Sequence, residues 1–497
     1  MTQEEPRYET PTKQTFIEED SSPIIEINEY KRLIIFITLV LVGTLSSCDG
    51  GIIPQQNKNL KTDFGGGGEA RSGLFGSIDY IGRVVGALIF TSIMGKYNRK
   101  MMLVITLIFK ALTLFVPLIK ISDTFYYFLI NIVARCLSGL SQVFYPTYLP
   151  VWCDQYANKN NKAIWVTLVQ IGNPIGIIIG YGIGLLCEAI SEGNGWRIAF
   201  PIEGVSLIVL AFIIFLFDKI YFSEKLILID DSKGKEKELK DKSTKFYLFG
   251  NICKIINNKI FLFSSLCNSV AFFGIGVVQF YGDKYMEIVL DIDKAYRFIL
   301  FGILCLFGPT TGMVCGGIIC SKLGGYIKRS SMVFVILCMA ISSVISMFIA
   351  FHKIPILFII TGWSYLFAIG ASIPPISGII ISCLDNNLRG DGFSFCNLII
   401  NLIGSFPSSY VYSLLADAFK SKGEKAKLQY AWMFSMGYNF VGLILVIIGG
   451  IFRFRIKGDL SENKNEEIKE SNNENTKSET EAEKEGETNN GEKYENI

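Results

Sequence analysis

Residues 198–217 read IAFPIEGVSLIVLAFIIFLF, a run of twenty residues whose only charge is Glu203. A helix needs about 20 apolar residues to cross a hydrocarbon core of roughly 30 Å. Residues 218–259, which follow directly, are polar and rich in lysine. A spanning helix followed by a long charged linker near the middle of the chain predicts a membrane protein built in two parts.

Apolar runs of similar length recur on both sides of this linker, and they predict an all-α membrane protein of about twelve transmembrane helices in two six-helix bundles. The predicted spans are Leu33–Ile53, Leu74–Met94, Met101–Ile119, Phe125–Trp152, Ala163–Leu186, Ile198–Phe217, Ile260–Tyr281, Phe298–Cys320, Ser331–Phe351, Ile354–Cys383, Phe393–Leu415 and Ala431–Ile451. The predicted organisation is an N-terminal tail (1–32), a first bundle (33–217), a linker (218–259), a second bundle (260–452) and a disordered C-terminal tail (453–497).

Composition agrees with this class and excludes several functions. Half of the 497 residues are hydrophobic and 19% are charged, with a net charge of +2. The sequence has no concentrated cluster of basic residues of the kind that binds nucleic acid, so no nucleic-acid partner is expected. The 12 cysteines lack metal-ligand spacing, and the single histidine, His352, has no nucleophile beside it. We therefore expect no metal, no cofactor and no enzymatic activity.

The positions of the basic residues predict the orientation in the membrane. Lysines and arginines are enriched in cytosolic loops, so the lysine-rich linker should be cytosolic. An even number of spans then places both termini in the cytosol. Lys420, Lys422, Lys425 and Lys427 do not follow this rule, because they crowd a loop that must lie on the outer side.

Two loops at equivalent places in the halves share a sequence motif. Residues 91–100 read TSIMGKYNRK, and residues 317–324 read GIICSKLG. Both resemble the loop motif G-x-L-a-D-R-x-G-R-K of the major facilitator superfamily, with Gly95 and Ser321 in the place of its aspartate. The resemblance implies a charge-paired cytosolic gate formed by Lys96, Arg99, Lys100, Lys322, Lys328 and Arg329. The alternative is that these bases only set the topology.

The fourth span carries a more specific pattern. Residues 135–150 read RCLSGLSQVFYPTYLP, and Asp154 follows. This resembles the spinster-like branch of the superfamily, although Gln142 replaces a glutamate of that branch. In the eleventh span, Asn401 and Ser405 replace a histidine and an aspartate of that branch. The resemblance implies alternating-access transport of a lysophospholipid or sphingoid lipid, coupled to protons, by a monomer in the plasma membrane or in an acidic organelle.

Two ionisable residues are the predicted proton-coupling site. An arginine at the bilayer centre costs about 2.5–3.5 kcal/mol on insertion scales, so Arg135 should face a cavity or a partner. Asp49, near the outer end of the first span, is the candidate partner, and the resemblance implies proton coupling through such a pair. A permanent ion pair, or an aspartate that caps a helix, is the alternative for Asp49.

Further polar residues within the spans are candidates for the substrate cavity. Asp79 and Arg83 are four residues apart and can pair on one helical face. The full predicted set is Asp79, Arg83, Lys110, Gln142, Tyr145, Glu203, Asn268, Gln279, Trp363, Asn397 and Asn401. Buried amides also serve as contacts between helices, which is the alternative for the asparagines and glutamines. In the seventh and tenth spans apolar residues outnumber amides, which favours a lipid tail.

Two other functions stay open from the residues alone. Residues 49–53, DGGII, are also similar to the first helix of sugar carriers, so a carrier of a small polar solute such as a sugar or an organic anion is the second hypothesis. A membrane enzyme has little support. A receptor without transport activity is the remaining alternative, because the gate motif lacks both aspartates.

Overall fold

The computed structural model describes residues 29–66, 68–93, 97–119, 121–157, 162–191, 193–222, 253–326, 328–384 and 388–455. These ranges contain helices and no β-strand. Twelve of the helices are long and apolar enough to cross a membrane. In chain order, spans 1 to 12 are Glu29–Gln55, Ala70–Phe90, Arg99–Leu118, Thr124–Leu149, Ile171–Ile190, Gly195–Leu216, Lys259–Ile288, Lys294–Lys322, Arg329–Ile349, Pro355–Ser382, Gly392–Ala418 and Glu424–Arg455. The predicted fold class is confirmed.

Three segments of the predicted organisation lie largely outside the described residues. They are the N-terminal tail up to residue 28, residues 223–252 of the linker, and the C-terminal tail from residue 456. The proposed linker boundaries therefore stay a prediction.

Side-chain caps fix the start of several spans. The side chain of Asn98 accepts a hydrogen bond from the Lys100 amide at the start of span 3. Asp123 accepts from two amides at the start of span 4, and Asn258 accepts from the Phe261 amide at the start of span 7. Such caps satisfy amides that have no partner within the helix, so they define where each span begins.

Several spans are interrupted along their length. Span 1 consists of the helices Glu29–Leu45 and Asp49–Gln55, joined by a turn at residues 46–48. Span 4 consists of the helices Thr124–Gln142 and Phe144–Tyr156. Spans 8 and 11 contain π-helical segments at Ile303–Phe307 and Ile400–Ser405, a distortion that is frequent at functional sites.

Glycines of span 5 hold the interrupted span 1 in place. A Cβ atom at Gly176 would lie 2.0 Å from the carbonyl oxygen of Thr44, and one at Gly180 would lie 1.8 Å from that of Cys48. Only glycine permits such close approach of two helix backbones. These glycines therefore form a helix-packing surface that places the turn of span 1 directly against span 5.

The halves meet mainly through three pairs of spans. Span 2 packs along span 11, the second helix of span 1 contacts span 7, and span 5 contacts span 8. We call the end of the molecule that carries residues 57–69 and 419–423 the outer end, because the charge pattern predicts that it faces away from the cytosol.

Candidate functional site

The turn in span 1 places a backbone carbonyl and a carboxylate inside the first half. The carbonyl oxygen of Ser46 accepts hydrogen bonds from the Lys110 ammonium and from Nε2 of Gln142, the latter at 2.8 Å. Asp49 begins the helix after the turn, and its Oδ1 accepts from the Gly50 amide at 2.9 Å. Spans 1, 3 and 4 therefore meet at this turn through polar contacts.

Six charged side chains of the first half form one connected series, which we call the buried ion chain: Glu203, Lys110, Asp49, Arg135, Asp79 and Arg83. Lys110 Nζ lies 3.3 Å from Glu203 Oε1 and 3.3 Å from Asp49 Oδ2. Arg135 Nη1 lies 2.6 Å from Asp49 Oδ2, and its Nη2 lies 3.7 Å from Asp79 Oδ1. Arg83 Nη2 lies 2.9 Å from Asp79 Oδ2.

The ion chain is shielded at one end and open at the other. The side chains of Lys110 and Glu203 are fully buried, whereas 21% of the Arg83 side chain is exposed. Three cations and three carboxylates balance one another, which limits the large cost of placing charge in a medium of low dielectric constant. Removing one member would leave another charge buried without a counter-charge.

Arg135 also has apolar and polar neighbours that fix its position. Its guanidinium lies 5.6 Å from the ring centroid of Phe75 and 6.0 Å from that of Phe200, within cation–π range. A cavity of about 10 Å³ lies beside it, lined in part by Asn131 and Ser138. The buried atoms Asn131 Oδ1, Arg135 Nε and Ser138 Oγ accept or donate no hydrogen bond within the described part of the chain. This cavity has the size of one water molecule and polar groups to bind it.

The structure brings the two predicted ion pairs together. Asp49 contacts Arg135, and Asp79 contacts Arg83, as expected from the sequence. Lys110 and Glu203, which the sequence analysis places among the candidate cavity residues, are both buried inside the first half between spans 1, 3 and 6. They pair with each other and with Asp49, an arrangement that two isolated charges in the sequence did not indicate.

The other predicted cavity residues divide between the halves. Gln142 and Tyr145 are buried in the first half and Asn268 in the second. Gln279, Trp363, Asn397 and Asn401 are partly exposed. Asn401 donates from Nδ2 to the Asn397 carbonyl oxygen at 2.8 Å, within the π-helical part of span 11. Trp363 stacks on Phe367 with ring centroids 5.2 Å apart.

A second ionic cluster, which the sequence did not reveal, joins the two halves at the outer end. We call it the outer clasp: Lys61, Glu69, Lys284, Asp417 and Lys427. The buried carboxylate of Glu69 lies 2.5 Å from Lys284 Nζ, 2.9 Å from Lys61 Nζ and 3.5 Å from Lys427 Nζ. Burial by itself would raise the pKa of Glu69, but the nearby charges and hydrogen bonds of Lys284 and Lys61 outweigh it and hold the pKa at about 2.

Asp417 completes the outer clasp through backbone contacts across the halves. Its Oδ1 accepts from the Glu69 amide at 2.8 Å, and its Oδ2 accepts from the Ala70 amide at 2.9 Å. A carboxylate at the first amides of a helix satisfies unpaired donors and also interacts favourably with the helix dipole. The clasp also gives a structural role to Lys427, one of the lysines that did not follow the topology rule.

A separate contact closes the outer end on the other side of the bundle. The hydroxyl of Tyr181 in span 5 donates to Oδ1 of Asp283 in span 7 at 2.5 Å. Arg297 of span 8 lies 3.4 Å from the same oxygen. The Tyr181 ring stacks on Phe301, with ring centroids 4.7 Å apart. The outer end is thus closed by two groups of contacts between the halves.

Two residues of the predicted cytosolic gate contact backbone carbonyls within their own halves. Lys100, at the start of span 3, donates to the Phe215 carbonyl oxygen at the end of span 6, at 2.8 Å. Arg329, at the start of span 9, donates to the Phe454 carbonyl oxygen at the end of span 12, at 3.3 Å. Cations at the carbonyl end of a helix are favoured by its dipole. Lys322 and Lys328 are exposed, and Arg99 is partly buried; Lys96 lies outside the described residues.

Twelve spanning helices in two halves, with a balanced ion chain inside one half and closing contacts between the halves, define a polytopic membrane transporter. A family model described as Major Facilitator Superfamily matches residues 35–409. The chain therefore belongs to the major facilitator superfamily, whose members are transport proteins and not enzymes.

Two similar proteins cover most of the chain. A probable sphingolipid transporter, spinster homolog 1 of Arabidopsis thaliana, is 22% identical over 396 residues, which are 75% of this chain and 76% of that protein. The sphingosine-1-phosphate transporter SPNS2 of Danio rerio is 20% identical over 412 residues, 78% of this chain and 76% of that protein. The resemblance to the spinster-like branch is thereby confirmed.

Solved structures agree on the fold. A bacterial homolog of the human lysosomal transporter spinster, in an inward-facing and unoccupied conformation, superposes with a TM-score of 0.64 at 15% identity and covers 86% of this chain and 97% of its own. A D-xylose-proton symporter has a TM-score of 0.63 at 14% identity, with 83% and 97% covered. At such identities the likeness concerns the fold alone.

Proposed function

We propose that this protein is a proton-coupled transporter of single-chain lipids with an anionic head group, such as a lysophospholipid or a sphingoid phosphate, that works by alternating access. The observation that carries the lipid assignment is the length of its similarity to sphingolipid transporters. These relatives align with about three quarters of the chain, 75% and 78%, and so include both halves.

The buried ion chain supports proton coupling and an anionic substrate. Ionisable groups inside a membrane bundle are expensive, and they mark ion or proton pathways. Arg83, the exposed end of the ion chain, and Arg135 further inside offer positive charge to a phosphate or carboxylate head group. If Arg83 or Arg135 moved toward a ligand, Asp79 or Asp49 would lose an ion-pair partner. Ligand binding would in this way change the surroundings of the carboxylates.

The interface between the halves supports an apolar tail. Phe280 of span 7 lies against Gly76 of span 2, and Tyr181 of span 5 stacks on Phe298 and Phe301 of span 8. Burial of one methylene group is worth roughly 0.8 kcal/mol relative to water, but a lipid tail comes from the bilayer and gains little of this. Affinity should therefore depend mostly on the head group.

Alternating access requires that contacts between the halves break in turn at the two ends. The outer clasp and the Tyr181–Asp283 hydrogen bond support an outward-closed conformation. Both link different halves, so both must separate when the outer end opens. We propose that the protein acts as a monomer in the plasma membrane or in the membrane of an acidic organelle, where a proton gradient is available.

Transport of a small polar solute is the second candidate. Low-affinity glucose transporter HXT3 of Saccharomyces cerevisiae is 25% identical, but over only 130 residues, 26% of this chain and 22% of that protein. This similarity covers one section of the chain, and it carries less weight than the similarity to the lipid transporters.

Uptake by purified protein in liposomes tests the proposal. We expect labelled sphingosine-1-phosphate or lysophosphatidic acid to accumulate faster when a pH gradient is imposed, and labelled glucose or xylose to remain at the level of protein-free liposomes. Sugar accumulation without lipid uptake would replace the lipid assignment with the second candidate. Lipid uptake at the same rate with and without the gradient would exclude proton coupling and leave the lipid assignment in place.

A further inference from the structure

The two carboxylates that flank Lys110 have different surroundings. Asp49 has two cations, Arg135 at 2.6 Å and Lys110 at 3.3 Å, and also accepts a hydrogen bond from the Gly50 amide. Glu203 has Lys110 alone, at 3.3 Å, and neither of its carboxylate oxygens accepts a hydrogen bond within the described residues. Glu203 is therefore the less well-compensated carboxylate of the ion chain.

The charged and titratable groups around Glu203 add little to compensate it. Span 3 contributes Lys110, which Glu203 shares with Asp49 of span 1. Span 4 contributes Arg135, whose closest contact is with Asp49, and the hydroxyl of Tyr145, which has no hydrogen-bond partner among the described residues. Cys48 of span 1 is buried nearby and carries no positive charge. One ammonium thus serves two carboxylates in a fully buried place, which favours neutralisation of one of them.

We propose that Glu203 is the residue that binds the transported proton, and that Lys110 is the positioning residue that couples it to Asp49. This inference rests on the proposed proton coupling. Binding converts the Glu203 carboxylate into a neutral carboxylic acid, and the ion chain changes from zero formal charge to +1. Lys110 then pairs with Asp49 alone. Release of the proton restores the shared arrangement.

The same geometry links the proton to an anionic ligand. When Arg135 turns toward an anionic head group, Asp49 loses its 2.6 Å partner and depends on Lys110. Glu203 then loses its share of the ammonium and gains a proton. One anion and one proton together leave the charge of the ion chain plus ligand at zero, so each favours the binding of the other.

Infrared difference spectroscopy of the purified protein in nanodiscs tests this without any substrate. A step from neutral to mildly acidic pH should produce a carboxylic acid carbonyl band in the wild type and in Glu287→Gln, a control at a half-exposed glutamate of span 7. The band should be absent from Glu203→Gln. Lys110→Gln leaves Glu203 without its cation, so Glu203 should already be protonated at neutral pH. The absolute spectrum of this variant should show the band at neutral pH, and the pH step should add none.

A charge-neutral pair of substitutions covers the case in which Glu203→Gln does not fold. Lys110→Gln combined with Glu203→Gln removes one charge of each sign and retains the Asp49–Arg135 pair. This double variant should fold and should lack the band at both pH values. If the band persists in Glu203→Gln or in the double variant, the assignment is overturned, and another carboxylate binds the proton.

Transport measurements separate this inference from the proposed function. In Glu203→Gln, accumulation driven by a pH gradient should fall to the level without a gradient, whereas exchange of labelled for unlabelled sphingosine-1-phosphate continues. If the band behaves as expected but no lipid is transported, the proposed function fails and the Glu203 assignment stands. If lipid accumulates with the gradient in Glu203→Gln, the assignment fails and the proposed function stands.

Discussion

Glu69 of the first half and Lys284 of the second half face each other across the outer end, with 2.5 Å between carboxylate oxygen and ammonium nitrogen. They are 215 residues apart in the chain. Because the halves carry them separately, this contact exists only when the outer end is closed.

We predict that Glu69→Gln increases the outward-open population. The change leaves the ammonium groups of Lys61, Lys284 and Lys427 close together without their shared carboxylate. Loss of a buried charged partner costs about 1–3 kcal/mol, and each 1.4 kcal/mol shifts the closed-to-open ratio about tenfold. Spin labels attached at the exposed residues Lys58 and Lys422 report the opening. The distance between them, measured by pulsed electron paramagnetic resonance, should be longer in Glu69→Gln than in the wild type.

Glu424→Gln is the matched control, because Glu424 also pairs with Lys427 but its side chain is 63% exposed. Exposed pairs contribute little, so its distance distribution should equal that of the wild type. Equal distributions for wild type and Glu69→Gln would contradict a role of the outer clasp in closure.

The effect of Glu69→Gln should not depend on pH in the physiological range. The pKa of Glu69 lies near 2, below its ordinary value of 4.5. The carboxylate therefore contributes its full stabilisation above pH 4.5 and loses it only as the pH falls through about 2. The difference between Glu69→Gln and wild type should be the same at about pH 7 and about pH 5. A difference that vanishes at the lower value would contradict the ionised state of Glu69.

We predict that Gly76→Ala also favours the outward-open conformation. A Cβ atom at Gly76 would lie 1.9 Å from the ring of Phe280, across the interface of the halves. Overpacking of this kind costs about 1–3 kcal/mol, and separation of the halves relieves it. Gly182→Ala is the control, since its Cβ would lie 3.7 Å from Phe298, an ordinary contact. The same spin-label distances should lengthen in the first variant and stay unchanged in the second.

The sequence predicted the parts of this molecule that depend on local pattern. Twelve spans follow from the lengths of the apolar runs, and the Asp79–Arg83 pair follows from a spacing of one helical turn. The Asp49–Arg135 contact was predictable because each residue is an expensive charge in an apolar span and the family resemblance linked them.

The parts that depend on how distant segments meet were not predictable. Glu69 and Asp417 look like ordinary loop and helix-end residues, and only the packing of span 2 along span 11 brings them together. Lys110 and Glu203 were predicted only as cavity residues, because a single sequence does not indicate that spans 3 and 6 are neighbours. Their role as cavity residues stays a prediction, and the structure places both side chains inside the first half.

We predict that Asp49→Asn and Arg135→Ala each abolish accumulation driven by a pH gradient while expression and folding are largely retained. In Asp49→Asn, Lys110 keeps its ion pair with Glu203 and loses the one with residue 49. Arg135→Ala removes the guanidinium that lies 2.6 Å from Asp49. Exchange without a gradient should survive Asp49→Asn better, because it requires no net movement of protons. Liposome uptake with and without a gradient measures both, and normal accumulation by both variants would exclude the pair from proton coupling.

We predict that the lysine-rich linker and both termini lie in the cytosol. The charge of the linker and the even number of spans agree on this orientation. In sealed cells, an epitope tag on the C-terminal tail should resist external protease until the membrane is permeabilised. A tag that is cleaved in intact cells would reverse the orientation and would turn the outer clasp into a cytosolic contact.

The last prediction concerns the substrate and follows from the arrangement of charge and apolar surface. The exposed end of the ion chain is the guanidinium of Arg83, and span 7 presents Phe280 at the interface of the halves. A ligand that matches both has an anionic head and an apolar tail, and its affinity should follow the head group because the tail leaves one apolar medium for another. Single-chain phospholipids and sphingoid phosphates should therefore raise the thermal stability of the protein in nanodiscs, whereas monoacylglycerol and sphingosine, which lack the phosphate, should do so much less. Arg83→Gln should reduce the shift for the phosphates and leave the small shift for the phosphate-free lipids unchanged. Stabilisation by glucose in the absence of any response to lysolipids would favour the sugar-carrier alternative.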